Sequence, residues 1–450
     1  MKHLRIKKGH SPKIDGSPSV AVDTLPRPER VALLPRRIPH VIPRLLVDTG
    51  ERVAIGSPLI EDKRNPAIRF MSPGGGLIER IAYGPRRVIT RIVVRLDDEE
   101  DRVLRDPVGA RDLEKMTRAD LVQRLVEGGL WSFLKALPFR DYPAPDSVPP
   151  AIFVTLGSLE PFQPAPEVYL EDQGPLFSLG LMILKKLAAD PSTVYVSTAA
   201  RSAAAIKPVV DGALTHLYDG PYPAQDPGVL LYCIRTTAEQ NRSWFIDGQD
   251  LLMLAEYLLS GIYPTRRVMV AAGSRAVVRR HLRTRLGVPL ASLGAEQKAR
   301  KDTRCVVGGV FSGYTGSADS YVGLYQTSLT LLPEGNHREF MALFNPGLRK
   351  LTYSRAFLSA LNSADMEADC NLHGGLRACI ACGHCNEVCP VDILPQLTYK
   401  AVLAGEVEEY LAIGLLDCVE CGLCTYVCPS KIDLAATLRD ARAAYYREQG

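Results

Sequence analysis

No stretch of this chain is apolar for the ~20 residues that a membrane-spanning helix requires. The longest apolar run lies around Leu176 to Leu184 and stops at Lys185 and Lys186, so no transmembrane segment is expected. The N-terminal residues Met1 to Gly9 are charged with no apolar segment behind them, so they do not read as a secretory signal and cytoplasmic residence is expected. Charge of one sign is also scarce: 54 basic residues against 50 acidic ones leave a net charge of +4. No run of like charges is long enough to attract nucleic acid, which is not an expected partner. What is present is ordinary for a folded protein, with 46% hydrophobic and 23% charged residues over 450 positions. That length implies several cores, about three on a prior of ~150 residues per domain.

Along the chain, residues 1–40 hold prolines at 12, 18, 26, 28, 35 and 39 and read as an extended arm with short strands. Residues 41–100 alternate short strands with turn sequences such as Asp48-Thr49-Gly50 and Ser72-Pro73-Gly74-Gly75-Gly76, predicting a small all-β module. Its layout resembles the barrel-sandwich of biotinyl and lipoyl carrier domains, and Lys63 falls near the modified lysine of such domains. Arg64-Asn65-Pro66 follow where a carrier has a small or apolar hairpin partner, and the plainer reading of Lys63 is a solvated turn lysine. Gly74-Gly75-Gly76 lacks phosphate-loop spacing and reads as a β-turn.

Residues 101–265 mix strand-like runs (Ala151–Thr155, Val194–Ser197, Val229–Tyr232) with helix-like ones, clearest over Pro175–Ala189 and Asp250–Ser260, and predict an α/β domain. Residues 266–333 return to strands around one short helical or turn segment, Ser292 to Arg300. Residues 334–450 read as helical.

Eight of the 11 cysteines lie between Cys379 and Cys428. They form two runs, Cys379-x2-Cys382-x2-Cys385-x3-Cys389-Pro390 and Cys418-x2-Cys421-x2-Cys424-x3-Cys428-Pro429. Three thiolates at intervals of three wrap one face of an iron–sulfur cubane, while the fourth points to a neighbouring one. Cys379, Cys382, Cys385 and Cys428 are therefore assigned to one 4Fe-4S cluster, and Cys418, Cys421, Cys424 and Cys389 to a second. Zinc sites stop at four ligands and give no reason for this run to occur twice. Cys233, Cys305 and Cys370 are expected to be buried or incidental.

Segments 50–81, 127–155, 247–273, 282–293 and 306–340, including GERVAIGSPLIEDKRNPAIRF and LPEGNHREF, resemble the A-subunit of the sodium-translocating NADH:quinone oxidoreductase and its homologue, the C-subunit of the Rnf complex. The resemblance implies a barrel-sandwich-like module, a degenerate flavin-site α/β domain, a β-grasp domain of the soluble-ligand-binding type, and a helical ferredoxin-like tail. The familiar A-subunit lacks iron–sulfur clusters, whereas the Rnf C-subunit carries a dicluster segment, so this chain joins an A-subunit body to an Rnf-type tail. Where flavin-binding relatives place a glycine-rich loop, Gly128 and Gly129 are followed by Trp131 and Phe133, whose bulk argues against FMN or NADH on this chain. The expectation is an electron-transfer subunit, peripheral on the cytoplasmic face of the membrane. Its partners are other subunits of the complex, with quinone a further contact implied by the resemblance. A soluble iron–sulfur oxidoreductase with its own nucleotide or flavin site is the alternative.

Overall fold

A computed structural model describes residues 1–210, 212–294, 302–336 and 344–449. At its centre is a six-stranded sheet in the order Lys2–Arg5, His216–Asp219, Val194–Ala199, Ile152–Leu156, Trp244–Asp247, Lys135–Ala136. Every neighbouring pair is parallel except the last. Ile152–Leu156 is buried at all five positions, as a parallel strand covered on both faces must be. Ile152, Val154 and Leu156 face a core built with helices Gly174–Leu187 and Gly248–Ser260, and that core runs on into the β module. The second of these helices is capped by Asp247, which accepts the Gln249 N–H at 2.9 Å, and ends at Gly261 with φ 69°. A Cβ at Gly261 would meet the Arg105 carbonyl oxygen at 1.8 Å, so only glycine closes this helix.

The other face of the sheet, marked by Phe153, packs against helix Pro227–Ile234 and against the C-terminal tail through Val391, Ile393, Leu415, Val419 and Leu438. The tail is thus a layer of the α/β unit and not an appendage on a linker. The run Val229–Tyr232, expected as a strand, is helical: Asp226 accepts the Gly228 N–H and Pro227 occupies the first turn. These two start signals outweigh the apolar run, which by itself does not distinguish a buried strand from a buried helix.

A second six-stranded sheet has the order Tyr314–Gly316, Thr303–Val307, Ser328–Pro333, Arg266–Ala272, Arg280–Arg285, Ser19–Thr24. Of the expected segment Ser292 to Arg300, Leu290–Leu293 forms a 3-10 turn, and residues 295–300 lie outside the described residues, as do 337–340 of LPEGNHREF. The β module contains a four-stranded sheet (Arg30–Leu33, Ile89–Leu96, Gly76–Tyr83, Arg52–Val53) and a three-stranded one (Pro43–Leu45, Pro58–Asp62, Asn65–Met71).

The N-terminal arm gives one strand to each of three sheets: Lys2–Arg5 to the central sheet, Ser19–Thr24 to the second, and Arg30–Leu33 to the β module. It thereby stitches the body together. Within residues 344–383 the chain forms turns and one 3-10 segment, Leu358–Leu361, so the expected helical character begins only at His384.

Trp131 and Phe133 are each 1% exposed. The Trp131 indole N–H donates to the Pro143 carbonyl at 2.7 Å, and its ring meets Trp244 edge-on at 5.6 Å. Trp131→Ala should lower unfolding stability by about 3–5 kcal/mol, measured by denaturant titration.

Candidate metal centre

The two cysteine runs repeat one backbone. Ala381 and Glu420, Gly383 and Gly422, and Asp392 and Lys431 occupy matching places in the two runs, and all six have left-handed φ. One-turn helices follow the glycines, His384–Glu387 and Leu423–Tyr426. Each turn carries the fourth cysteine away from the first three, which is how one run comes to serve two groups.

The structure brings Cys379, Cys382, Cys385 and Cys428 around one cavity, together with Gln396 and Tyr399. Cys379 and Cys382 are exposed and Cys385 is buried. Cys389, Cys418 and Cys421 pack into the apolar core on the far face of the central sheet. Burial pushes the Cys424 thiol well up, and the nearby sulfurs of Cys418, Cys421 and Cys389 push the same way. Burial likewise raises Cys418, Cys421 and Cys385, and takes Cys389 to about 11. Thiols so placed stay protonated until a metal takes the proton's place, because burial disfavours a free thiolate and coordination supplies the compensating charge.

Four sulfurs in each group, set in apolar walls, are the donor chemistry of 4Fe-4S clusters, and these residues fit that cofactor. Among the described residues no group of three or more His, Cys, Asp or Glu is arranged to hold a single metal ion. The cavity's one amide, Gln396, accepts the Cys385 S–H at 3.3 Å through Oε1.

The body closes around the inner group. Tyr222 donates its hydroxyl to the Cys421 carbonyl at 2.9 Å and stacks on Phe311 of the second-sheet unit at 5.3 Å. A Cβ at Gly422 would sit 3.0 Å from the Phe311 carbonyl oxygen, and φ there is 76°, so this approach requires glycine. Arg442, 5% exposed at its side chain, bonds the Cys418 carbonyl and pairs with Glu420. Arg140, held by Asp226 at 2.7 Å, adds a second cation to the surroundings of Cys418. None of Tyr222, Arg140 or Arg442 carries a sequence motif; each reaches the site only through tertiary packing. Of the other cysteines, Cys305 is buried as expected, Cys370 is half-buried, and Cys233 is exposed.

Lys63 is exposed in the turn between Pro58–Asp62 and Asn65–Met71. Its neighbour Arg64 pins that turn by ion pairs at 2.7 Å to both Asp62 and Asp141, leaving no free-swinging hairpin tip.

In an open α/β sheet a nucleotide would bind beyond the C-terminal ends of the strands. Here the chain after Ile152–Leu156 is tied to the second-sheet unit. Glu160 accepts the N–H groups of Phe311 and Ser312 at 2.8 and 2.9 Å and the Ser312 hydroxyl at 2.8 Å. Gln163 donates to the Gly308 carbonyl at 2.6 Å, and the Ala165 N–H donates to His281 Nε2 at 3.0 Å. The Gly157 N–H is taken by the Tyr169 hydroxyl at 3.1 Å. Gly128 and Gly129 serve packing, the first against Tyr257 and the second against Met71.

Residues 4–97 match the family model described as the NqrA N-terminal barrel-sandwich hybrid domain, and residues 116–263 match the NqrA second alpha/beta domain. Residues 378–432 match a 4Fe-4S dicluster domain. Among curated relatives, the chain is 31% identical to the A-subunit of the Na(+)-translocating NADH-quinone reductase of Pseudomonas aeruginosa (strain UCBPP-PA14), over 91% of this chain and 92% of the relative. The proteins of that name from Tolumonas auensis and Serratia proteamaculans are 30% and 32% identical, with the same coverage. An NAD+-reducing NiFe-hydrogenase structure overlaps 78% of this chain and 72% of its own at 12% identity, with a TM-score of 0.36. No helix among the described residues is long and apolar enough to cross a membrane.

Proposed function

This chain belongs to the NqrA family, the A-subunits of Na(+)-translocating NADH-quinone reductases, and we propose that it is the peripheral electron-transfer subunit of such a complex, holding two 4Fe-4S clusters. The observation that carries this reading is the division of eight thiols into two groups, each drawn from both runs. When bound, such clusters supply one-electron storage and transfer without bond making. The chain's own cysteines would ligate them, and Tyr222, Arg140 and Arg442 fix the inner group against the α/β sheet. The second six-stranded sheet is read as the β-grasp domain of the soluble-ligand-binding type, and the α/β unit as a flavin-site domain that has lost its flavin. Burial of Trp131 and Phe133 supports that last point and weighs against a self-sufficient flavin enzyme. The complex is read as sodium-translocating, with this subunit on the cytoplasmic face and its electrons passing between partner subunits toward quinone.

The test is electron flow in the purified complex carrying Cys382→Ala and Cys421→Ala together. NADH-to-quinone electron flow should fall to the level of a complex without this chain, while gel filtration shows the subunits still assembled. Full flow in that variant would sink the relay and leave the chain a scaffold.

A further inference from the structure

Helix Leu434–Gln449 buries one stripe, made of Leu434, Ala435, Leu438 and Arg442. The first three are apolar, at the spacing of a core-facing helix, and Leu438 packs in the same cluster as Cys389, Cys418 and Cys421. The fourth is a guanidinium whose side chain is 5% exposed. Arginine is almost never buried so far without a partner, and a buried ion pair often adds no stability over apolar residues of similar volume. Packing therefore gives no reason for arginine at 442.

Its contacts supply one. Nη1 donates to the Cys418 carbonyl and Nη2 pairs with Glu420, so the cation lies against the backbone of the second run. The pair is unequal, because the Glu420 side chain is 24% exposed. Water screens the carboxylate more than the guanidinium, and the field left at the inner group is positive. The other carboxylates nearby are answered separately. Asp226 pairs with Arg140 and Asp417 with Arg235, each pair about evenly buried, while Asp392 is held by Lys8 at the surface. Glu160 is met by the Phe311 and Ser312 N–H groups and the Ser312 hydroxyl. In the first run Ala381 stands where the second has Glu420, so this ion pair has no counterpart there.

We propose that Arg442 is a positioning residue that raises the reduction potential of the inner cluster, and that Glu420 offsets part of its effect. The inference rests on the iron–sulfur reading above and adds to it what sets the place where the electron rests. Reduction adds one electron to the cluster, and the buried cation lowers the cost of the added negative charge. No bond forms or breaks and no proton moves.

The test is a redox titration of the full chain, reconstituted with iron and sulfide and followed by EPR. The signal lost in Cys382→Ala belongs to the outer cluster, which assigns the other to the inner one. Arg442→Gln should lower the ratio of reduced to oxidised inner cluster at a fixed potential by about tenfold, a fall of about 59 mV in its one-electron midpoint, and leave the outer midpoint in place. Arg442→Lys should recover most of that loss. Glu420→Gln should move the inner midpoint the opposite way and by less. Opposite shifts from the two partners of one ion pair are the signature of charge, whereas loosened packing moves both variants in one direction. If Arg442→Gln loses the inner cluster, Glu420→Gln decides alone: a raised midpoint supports the assignment, and an unchanged or lowered one refutes it. Inner midpoints unchanged in both variants, or lowered in both, in chains that hold their iron and sulfide, would overturn the role of Arg442 and leave the relay standing. A wild-type chain that takes up no iron or sulfide would overturn the two together.

Discussion

Cys389→Ala should halve the iron of the chain, from about eight to about four per molecule, with sulfide falling in step. The cluster lost should be the one whose other three ligands lie in the second run, because the Cys389 sulfur sits with Cys418 and Cys421 in the inner core. Double variants separate this from ligation run by run. Cys389→Ala with Cys418→Ala should still hold about four irons, since both changes strike one cluster. Cys389→Ala with Cys379→Ala should hold almost none. If each run kept its own cluster, these two results would be exchanged. The physical reason for the crossing is the one-turn helix after Gly383, which carries Cys389 away from Cys379, Cys382 and Cys385.

Arg64→Ala is expected to be the most damaging single change outside the core and the cysteines. Arg64 bridges Asp62, 0% exposed, and Asp141, 4% exposed. Tyr142 donates to Asp62 at 2.6 Å, and Tyr446 of the C-terminal helix donates to Asp141 at 2.9 Å. This one network therefore joins the β module, the α/β unit and the tail. Removing the guanidinium leaves two carboxylates buried without their cation, a loss of about 3 kcal/mol, at the lower end for a buried pair because Arg64 is itself partly exposed. Chemical denaturation at neutral pH measures it, and adding Asp62→Asn to the variant should recover part of the loss. The pH dependence has a defined sign. Burial alone would raise the Asp62 carboxyl, but hydrogen bonds from Arg64 and Tyr142 outweigh it and hold the group below the usual carboxylate range. Its contribution is present above about pH 4, where the unfolded carboxyl is ionised, and is lost as pH falls through the lower folded value. The gap between wild type and Arg64→Ala should narrow in that acid range.

The two groupings of cysteines are legible because their information is local: spacing in the chain becomes spacing in space once a turn and a glycine are fixed. Helices Gly174–Leu187 and Gly248–Ser260 are legible for the same reason, since their apolar faces repeat within a few residues. What sequence does not display is long-range pairing. Nothing in Lys2–Arg5 or Ser19–Thr24 says which of several edges each will join, because strand pairing is decided by the partner's exposed backbone. The helix Pro227–Ile234 is a different case: Asp226 and Pro227 are visible start signals, masked by the β-branched and apolar run that follows them. Tyr222, Arg140 and Arg442 are illegible as site residues, since each acts on a group far from it in sequence. The two tryptophans show the converse. Trp131 reads as an obstacle in a ligand loop, and its place in the core against Trp244 gives that obstacle its physical reason.

The measurement that bears most directly on the central claim is iron and acid-labile sulfide counted in an anaerobic preparation of the full chain, with an EPR spectrum taken after dithionite. The account predicts about eight of each per molecule and reduced signals broadened by interaction between two neighbouring clusters. Zinc in place of iron, or iron without sulfide, would contradict it.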